Sequence, residues 1–381
     1  MIFPDAMLGM LGGGQLGRMF TLAAHSMGYR VTVLDPDFLS PAGAIADVHL
    51  KAAYQDREEL GRLAETCLAV TTEFENVPAE SLRWLAAHCA VRPAGEAVAV
   101  VQDRIREKRF LQANGFPLGA FAVIESEADL GKLDASLLPG ILKRARFGYD
   151  GKGQAAVETL EEARAAFAAL GAEPCVLERR LALWCEVSVV VARGADGQAV
   201  SFPVAENRHR NGILDVTIVP ATVPGELARK AERIAVEAAE RLGYCGVLAV
   251  EFFVTADRQL LANEIAPRPH NSGHYTIDAC VTSQFEQQVR TLCGLPLGDP
   301  RLLSPIVMVN LLGEAWKRGE PAWDVVLKHP DAKLHLYGKH EARPGRKMGH
   351  FTVLGSTAEA ALDRALAIRA TLCPELALEP A

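Results

Sequence analysis

Two glutamates and a glycine loop beside a lysine are the residues of this chain best suited to chemistry. The runs from Val247 to Val254 and from Leu260 to Ile265 are apolar and flank Asp257 and Arg258. With that dipeptide as the turn centre, Val254 faces Leu261 and Glu251 faces Glu264, with Cβ atoms ~4.5–5.5 Å apart on one face of a hairpin. Opposed like charges in such surroundings are destabilising unless one protonates or a cation bridges them. An all-oxygen pair favours Mg²⁺ over zinc, and Mg²⁺ completes its octahedron with phosphate oxygens and water. A shifted register would instead leave one glutamate in solvent.

The matching cation chemistry lies upstream. Lys143 closes the run Ile141-Leu142 and projects from a strand end, just before Gly148, Tyr149, Asp150, Gly151, Lys152, Gly153 and Gln154. Glycines there let backbone N–H groups approach phosphates closely. The same Asp-Gly pair also reads as a plain hairpin turn. Val176 to Glu178 ends another strand, and Arg179, Arg180 and Leu181 form a connector that would offer backbone groups to an adenine edge, with Glu186 near ribose hydroxyls. Together these features suggest a Mg-ATP site.

The elements that must position these residues follow from pattern. Met7 to Leu11 reads as a buried strand, Gly12 to Gly17 as a tight turn, Leu16 to Met27 as an amphipathic helix and Arg30 to Leu34 as a second strand. Alternation continues through Leu68 to Thr71 and on to about Val91. A charged helix over Asp103 to Asn114 follows the Arg92-Pro93 break and leaves the first domain. Residues 118–180 hold short strands, glycines and one Ala-rich helix (Glu161 to Leu170), which reads as a small mobile lid. From about 183 the strands lengthen and pair as hairpins, and after Pro305 a smaller α/β appendage is expected. The fold class is α/β, turning to α+β in the C-terminal half.

Composition narrows the function. The chain has 381 residues, enough for two or three domains. A hydrophobic content of 49% and a formal net charge of −7 argue against a disordered chain and against a general nucleic-acid binder. No apolar stretch approaches the ~20 residues that cross a bilayer, so no membrane partner is expected. The first five residues lack a basic n-region, so no secretory signal is expected. Eight cysteines are scattered with no close pair. That disfavours a zinc site or disulfide framework and suits a reducing cytoplasm.

Gly12, Gly14 and Gly17 satisfy G-x-G-x-x-G between strand and helix, with Asp35 at the end of the next strand. That is the dinucleotide fingerprint, in which backbone N–H groups hold a pyrophosphate. The glycines would equally serve tight packing, or hold one phosphate of a mononucleotide-sized substrate. An NAD(P)-dependent dehydrogenase would explain residues 12–35 and leave Glu251, Glu264 and the lid without purpose.

Arg104, Lys143, the 148–154 loop, Glu178 to Leu181, Glu186, Glu251 and Asn263-Glu264 together resemble the ATP-grasp fold. More narrowly, the chain resembles the N5-carboxyaminoimidazole ribonucleotide synthetase family of purine biosynthesis. Four further matches carry this: Gly13 to Met19, Glu206 to Ile213 around His209, Pro267 to His274, and Arg343 to His350. The resemblance implies a Rossmann-like N-terminal (pre-ATP-grasp) domain over 1–100, a lid over 101–180 and a C-terminal ATP-grasp domain over 181–381, the appendage beginning near 305. It also implies ATP, bicarbonate and 5-aminoimidazole ribonucleotide as substrates, carboxyphosphate as intermediate, and a homodimer. A sister ATP-grasp enzyme using formate is the neighbouring branch, against which the Arg343 to His350 segment argues. A non-catalytic regulator should have lost Lys143, Glu251 or Glu264, and none is lost.

The resemblance also distributes roles. Glu251 and Glu264 would hold Mg²⁺; Lys143 and residues 148–154 would hold phosphates; Glu178 to Leu181 and Glu186 would take adenine and ribose. Arg104, His209 and Asn263 match nucleotide-site positions. Lys339, Arg343, Arg346 and Lys347 form a basic cluster for the ribonucleotide phosphate; in isolation it reads as a solvated turn. Gly14, Gln15 and Leu16 join that pocket, with Glu73 or Glu75 for sugar hydroxyls or the amine. Arg268 is the candidate for stabilising transferred phosphate or bicarbonate. His270 and His274 have zinc-like i,i+4 spacing, but Pro269 and Gly273 oppose a helix; a positioning role beside bicarbonate is expected, with plain loop hydrogen bonding as the alternative. Asn271 and Ser272 would contribute from the same loop. Asp150 is either a proton acceptor near the amine or the turn residue.

Overall fold

The computed structural model describes residues 1–148 and 153–374. Three sheets organise them. The first is parallel, in the order β3-β2-β1-β4-β5: β1 (Met7–Leu11), β2 (Arg30–Leu34), β3 (Val48–Leu50), β4 (Ala69–Thr72) and β5 (Ala90–Val91). Its central strands are buried on both faces, which is why they read as short apolar runs. Helix Gln15–Ser26 begins straight after the glycine turn, whose Gly12 adopts φ +107. Only glycine takes that conformation without strain.

The second sheet is antiparallel, in the order β6-β9-β7-β8: β6 (Phe121–Ile124), β7 (Gly140–Arg144), β8 (Gln154–Val157) and β9 (Cys175–Arg179). Helix Leu160–Ala169 covers one face with Ala163 and Phe167. Helix Arg104–Ala113 leads into this sheet. Asp103 caps it, accepting from the amides of Ile105 and Arg106.

The third sheet contains β10 (Leu183–Arg193), β11 (Ala199–Ser201), β12 (Ala205–Arg210), β13 (Ile213–Val219), β14 (Gly246–Thr255), β15 (Leu260–Ala266), β16 (Ile306–Leu312), β17 (Ala332–Leu336) and β18 (Lys347–Leu354). Its main path is β15-β14-β10-β12-β13-β16-β18-β17, with β11 on β10. The C-terminal segment expected as an appendage is therefore continuous with this sheet, because β16 pairs along β13 from Val216 to Val219. One face of the sheet carries two cores side by side, under helix Gly225–Arg241 and under helix Ala358–Leu372, and the other face packs Val190, Ala249 and Met308 against Tyr275 and Ala279. Helix Gln284–Cys293 lies between this sheet and the first domain: it contacts β10 and β14, while Val289, Leu292 and Cys293 share a cluster with Leu8, Met10, Phe20 and Val31.

Candidate active site

Glu251 and Glu264 are opposite each other in the β14–β15 ladder, but the hairpin arrives there by a different route from the one expected. The Thr255 amide donates to Gln259, so three residues turn the chain, with Arg258 at φ +66. Val254 consequently pairs with Leu260 rather than Leu261. Asn263 then forms a bulge between the pairs Phe252–Ala262 and Glu251–Glu264, restoring the glutamate pairing. Asn263 thus lies on a bulge and not on a regular strand, and its buried Oδ1 has no partner among the described residues.

Each carboxylate has a nitrogen donor beside it. His270 Nε2 lies 2.9 Å from Glu251 Oε1, and Arg104 Nη1 donates to Glu264 Oε2 at 2.8 Å. Burial alone would raise the Glu251 carboxyl, but His270, His209 and Arg268 draw it down to about 2. Burial opposes ionisation of Glu264 too, and Glu251 adds repulsion; Arg104 and Lys143 still bring its pKa below the usual value. Both groups are therefore anions at neutral pH.

In the second sheet, Lys143 Nζ donates to Glu178 Oε2 at 3.1 Å, and Gln154 pairs with Lys143 in the ladder. Burial pushes the Glu178 carboxyl up, but Lys143 and Lys108 outweigh it and lower the pKa. Gly153 takes φ +72. Gly148 is described, whereas Tyr149, Asp150, Gly151 and Lys152 lie outside the described residues. The amides of Arg179 and Arg180 donate to Ala120 and Pro139, and the Arg180 side chain turns to Glu158 at 2.6 Å. Neither amide is then open to adenine, which corrects that part of the connector's expected role. His209 Nδ1 lies 3.2 Å from Glu186 Oε2; burial depresses its pKa, but Glu186 reverses the sign and raises it.

A directional hydrogen-bond chain fixes the His270 ring. Thr217 donates to Asn207 Oδ1, and Asn207 Nδ2 donates to Ser188 Oγ. Ser188 Oγ lies 2.7 Å from Ser272 Oγ, which is 2.8 Å from His270 Nδ1. The Ser272 amide also points at Nδ1, making that nitrogen the acceptor and Nε2 the N–H aimed at Glu251. Ser272 is fully buried, so its expected contact with substrate becomes support of His270. Asn271 is corrected likewise: its amide exchanges two hydrogen bonds with Asn310. His274 is enclosed by Phe285, Tyr337 and His350, with Nδ1 on Gln284, and cannot touch substrate from there.

The glycine turn carries its own anion. Glu73 accepts from the amides of Gly14 (2.5 Å) and Gly17 (2.7 Å), and Asp35 accepts from Gly13 at 2.6 Å. The N–H groups that would bind a pyrophosphate are occupied by these carboxylates, which removes the geometric basis of the dehydrogenase reading. Burial raises the Glu73 pKa against the pull of those amides. A Cβ at Gly14 would stand 2.6 Å from Glu73 Oε1. Gly14→Ala is therefore expected to cost about 2–4 kcal/mol in chemical denaturation, by overpacking and loss of a charged hydrogen bond. Under 1 kcal/mol would contradict it. Leu16 is 8% exposed and packs with Met19, Phe285 and Tyr337, so its side chain is core rather than pocket lining.

Glu75 faces the other way, toward Arg268, whose Nε donates to it at 2.6 Å. Burial raises the Glu75 pKa, and Arg268 more than reverses that. Glu75 and Glu178, with lowered folded pKa values, stabilise the fold above their unfolded pKa, and this contribution disappears as pH falls through the folded values. Melting temperature is expected to drop on acidification below about pH 5, with a shallower drop in Glu75→Gln. Identical pH profiles for the two proteins would contradict this.

Lys339 joins the two ends of the molecule, donating to Gln15 Oε1 at 2.5 Å and to the Lys347 carbonyl at 2.6 Å. Arg346 donates to the Glu341 carbonyl at 2.9 Å. Arg343 is exposed and pairs with Glu341 at 2.9 Å, the outward-facing member of the cluster. Sequence reasoning missed Gln284, whose side chain accepts from the His270 amide and donates to the His270 carbonyl and His274 Nδ1. It also missed Glu107 and Lys108, although their i, i+3, i+4 spacing from Arg104 was visible.

A parallel five-stranded domain, a small four-stranded sheet and a large sheet bearing paired glutamates, with Lys143 and Glu178 facing them, define an ATP-grasp protein. Family models agree: the ribonucleotide synthetase preATP-grasp domain matches residues 6–102, the ATP-grasp domain 109–285, and the phosphoribosylaminoimidazole carboxylase C-terminal domain 306–364. The N5-carboxyaminoimidazole ribonucleotide synthase of Bacillus subtilis is 45% identical over 354 residues, covering 93% of this chain and 92% of its own. The Staphylococcus aureus N5-carboxyaminoimidazole synthetase complexed with ADP superposes with TM-score 0.90 at 37% identity, covering 96% and 98% of the two chains. The Aspergillus clavatus enzyme in complex with ADP and 5-aminoimidazole ribonucleotide gives 0.88 at 31%, covering 97% and 98%. The chain belongs to the N5-carboxyaminoimidazole ribonucleotide synthase family, and is thus an ATP-dependent ligase.

Proposed function

We propose that this chain carries out the family reaction, ATP-dependent carboxylation of 5-aminoimidazole ribonucleotide with bicarbonate, in a reducing cytoplasm and as a homodimer. The observation that carries the reading is the opposed, ionised pair Glu251 and Glu264, with Arg104, Lys143 and Arg268 among the cations acting on it. None of the eight cysteines forms a disulfide, and no helix among the described residues is long and apolar enough to cross a membrane.

The two carboxylates fit Mg²⁺. They offer oxygen only, and no group of three His, Cys, Asp or Glu among the described residues would hold a metal alone, leaving positions for phosphate oxygens and water. Bound there, the ion would neutralise charge on the transferring phosphoryl group.

The chain's own residues do the rest. Lys143 exchanges Glu178 for phosphate oxygens, and Lys108 keeps Glu178 charged and placed. Leu181 and the connector carbonyls take adenine, and Glu186, oriented by His209, takes the ribose. A bicarbonate oxygen attacks the γ-phosphorus, the bond to ADP breaks, and carboxyphosphate forms. The ribonucleotide amine then attacks the carboxyl carbon, phosphate leaves and the amine loses a proton. Arg268 holds the anionic group in transit, with His270 beside it. Lys339, Arg346 and Lys347 bind the ribonucleotide phosphate, and Gln15 orients Lys339. Glu75 is the better candidate than Glu73 for a substrate hydroxyl, since Glu73 is held by the glycine turn.

Phosphate release from Mg-ATP tests this, measured with and without the ribonucleotide in bicarbonate-supplied and bicarbonate-depleted buffer, with labelled bicarbonate followed into product. Ribonucleotide-dependent release with label in an acid-labile carbamate is expected. Turnover with formate but not bicarbonate would reassign the substrate, and no turnover by folded protein would end the proposal.

A further inference from the structure

Strand β15 is the edge of the large sheet: β14 pairs its inner side, and its outer side carries a single bridge, Ala262 to Leu118, with the Ala262 amide donating to Pro117. Its outer side meets helix Arg104–Ala113, which contacts three consecutive residues. Lys108 Nζ donates to the Asn263 carbonyl at 2.9 Å. Arg104 Nη1 donates to Glu264 Oε2 at 2.8 Å, and the Ile265 amide donates to Glu107 Oε1 at 2.5 Å. Positions 104, 107 and 108 share one helix face, so a single turn of helix reaches all three.

These contacts fall on the bulge that decides where Glu264 points. Before Asn263 the ladder runs Val254–Leu260 to Phe252–Ala262; continued unbroken, that register would set Glu264 opposite Val250. A one-residue slip sends a side chain to the other face of a sheet. Without the bulge the two glutamates would no longer share a face. A bulge leaves backbone groups outside the ladder, and buried ones must find other partners. Lys108 supplies one for the Asn263 carbonyl of the bulge, and Glu107 takes the outward Ile265 amide just beyond it, at 2% and 3% exposure. Burying two ionisable groups is a costly way to cover a sheet edge that apolar side chains would cover for less.

Lys108 has a second contact. Its Nζ lies 3.5 Å from Glu178 Oε2 on β9, so one ammonium ties the small sheet to the bulge.

We propose that Glu107 and Lys108 are positioning residues of the metal–nucleotide site, holding the Asn263 bulge so that Glu264 stays on the Glu251 face and tying Glu178 to the same point. The proposal rests on the ATP-grasp reading of the site. It assigns neither residue a contact with nucleotide.

Titration calorimetry of ADP, with and without Mg²⁺, tests it on Lys108→Met, Lys108→Arg, Glu107→Gln and Glu107→Leu. Melting temperatures and steady-state KM values for the ribonucleotide are taken alongside. Lys108→Met and Glu107→Leu are expected to weaken Mg²⁺-dependent ADP binding about 10- to 100-fold, the usual effect of removing a group that orients a metal ligand. Metal-free ADP binding should change less, and the ribonucleotide KM should stay within about twofold. Glu107→Gln keeps an acceptor for the Ile265 amide and should stay within about threefold of wild type, as should Lys108→Arg, which keeps a donor for the Asn263 carbonyl. Equal losses with and without Mg²⁺, or unchanged binding in folded Lys108→Met, would overturn the proposal. If Lys108→Met does not fold, the Glu107→Gln against Glu107→Leu contrast decides it. Wild-type protein that binds Mg-ADP but shows no turnover would count against the reaction alone.

Discussion

Glu264→Gln is expected to lower kcat by about a thousandfold, or ~4 kcal/mol of transition-state stabilisation, while the protein stays folded. Glutamine keeps an oxygen for Arg104 Nη1, so the link between helix Arg104–Ala113 and β15 survives. It removes the negative charge that, opposite Glu251, makes the pair a cation site. Arg104 still faces Glu107 and Glu178, so the substitution does not strand a buried cation. Metal-free ADP affinity should change little while Mg²⁺-dependent affinity falls. Turnover within tenfold of wild type would remove Glu264 from the metal site.

Arg268→Ala should combine a catalytic loss with a structural one, and the two can be separated. Arg268 Nε and Nη2 both point at the Glu75 carboxylate, at 2.6 and 3.4 Å, with both side chains about a fifth to a quarter exposed. Removing one partner of a mostly buried pair leaves an uncompensated charge, and about 2–3 kcal/mol of stability should go, discounted from the fully buried case. Glu75→Gln added to Arg268→Ala removes that charge and should recover most of the loss in melting temperature. The activity should not return, because the guanidinium next to the transferred group is still missing; a loss of about 10³-fold is expected in both. Recovery of turnover in the double variant would make Arg268 a purely structural partner of Glu75.

Much of this was legible from local pattern. Strands β1 and β2 are continuous apolar runs bounded by turn residues, and their limits match the observed ones. The 104–113 helix carried an aspartate cap and a charged face, both visible in sequence. Lys143, Glu178, Glu251 and Glu264 were legible because each sits in an apolar run where a charge needs a reason. Three things were not. The three-residue turn and the Asn263 bulge are compensating one-residue shifts, and period-two patterning is blind to a pair that cancels. Glu73 lies far along the chain from the glycines it fills, so a local motif could not show that the turn already held its anion. Asn271, Ser272 and His274 carry the chemistry of a binding loop, but Asn310, Ser188 and Gln284 engage them from other elements, and only tertiary structure reveals that.

Helix Gln284–Cys293 has a consequence for how such a chain can be divided. Its first residue holds the loop carrying His270, while its last turn lies in the core of the parallel domain, its final carbonyls capped by Arg92. A residue range drawn around the parallel domain therefore cuts through a shared interior. Expressed alone, that fragment would expose the apolar surface now covered by Val289, Leu292 and Cys293. The two parts can be named separately, but they are not exchangeable modules. Grafting a foreign nucleotide-binding half onto this one would require the helix to travel with its host.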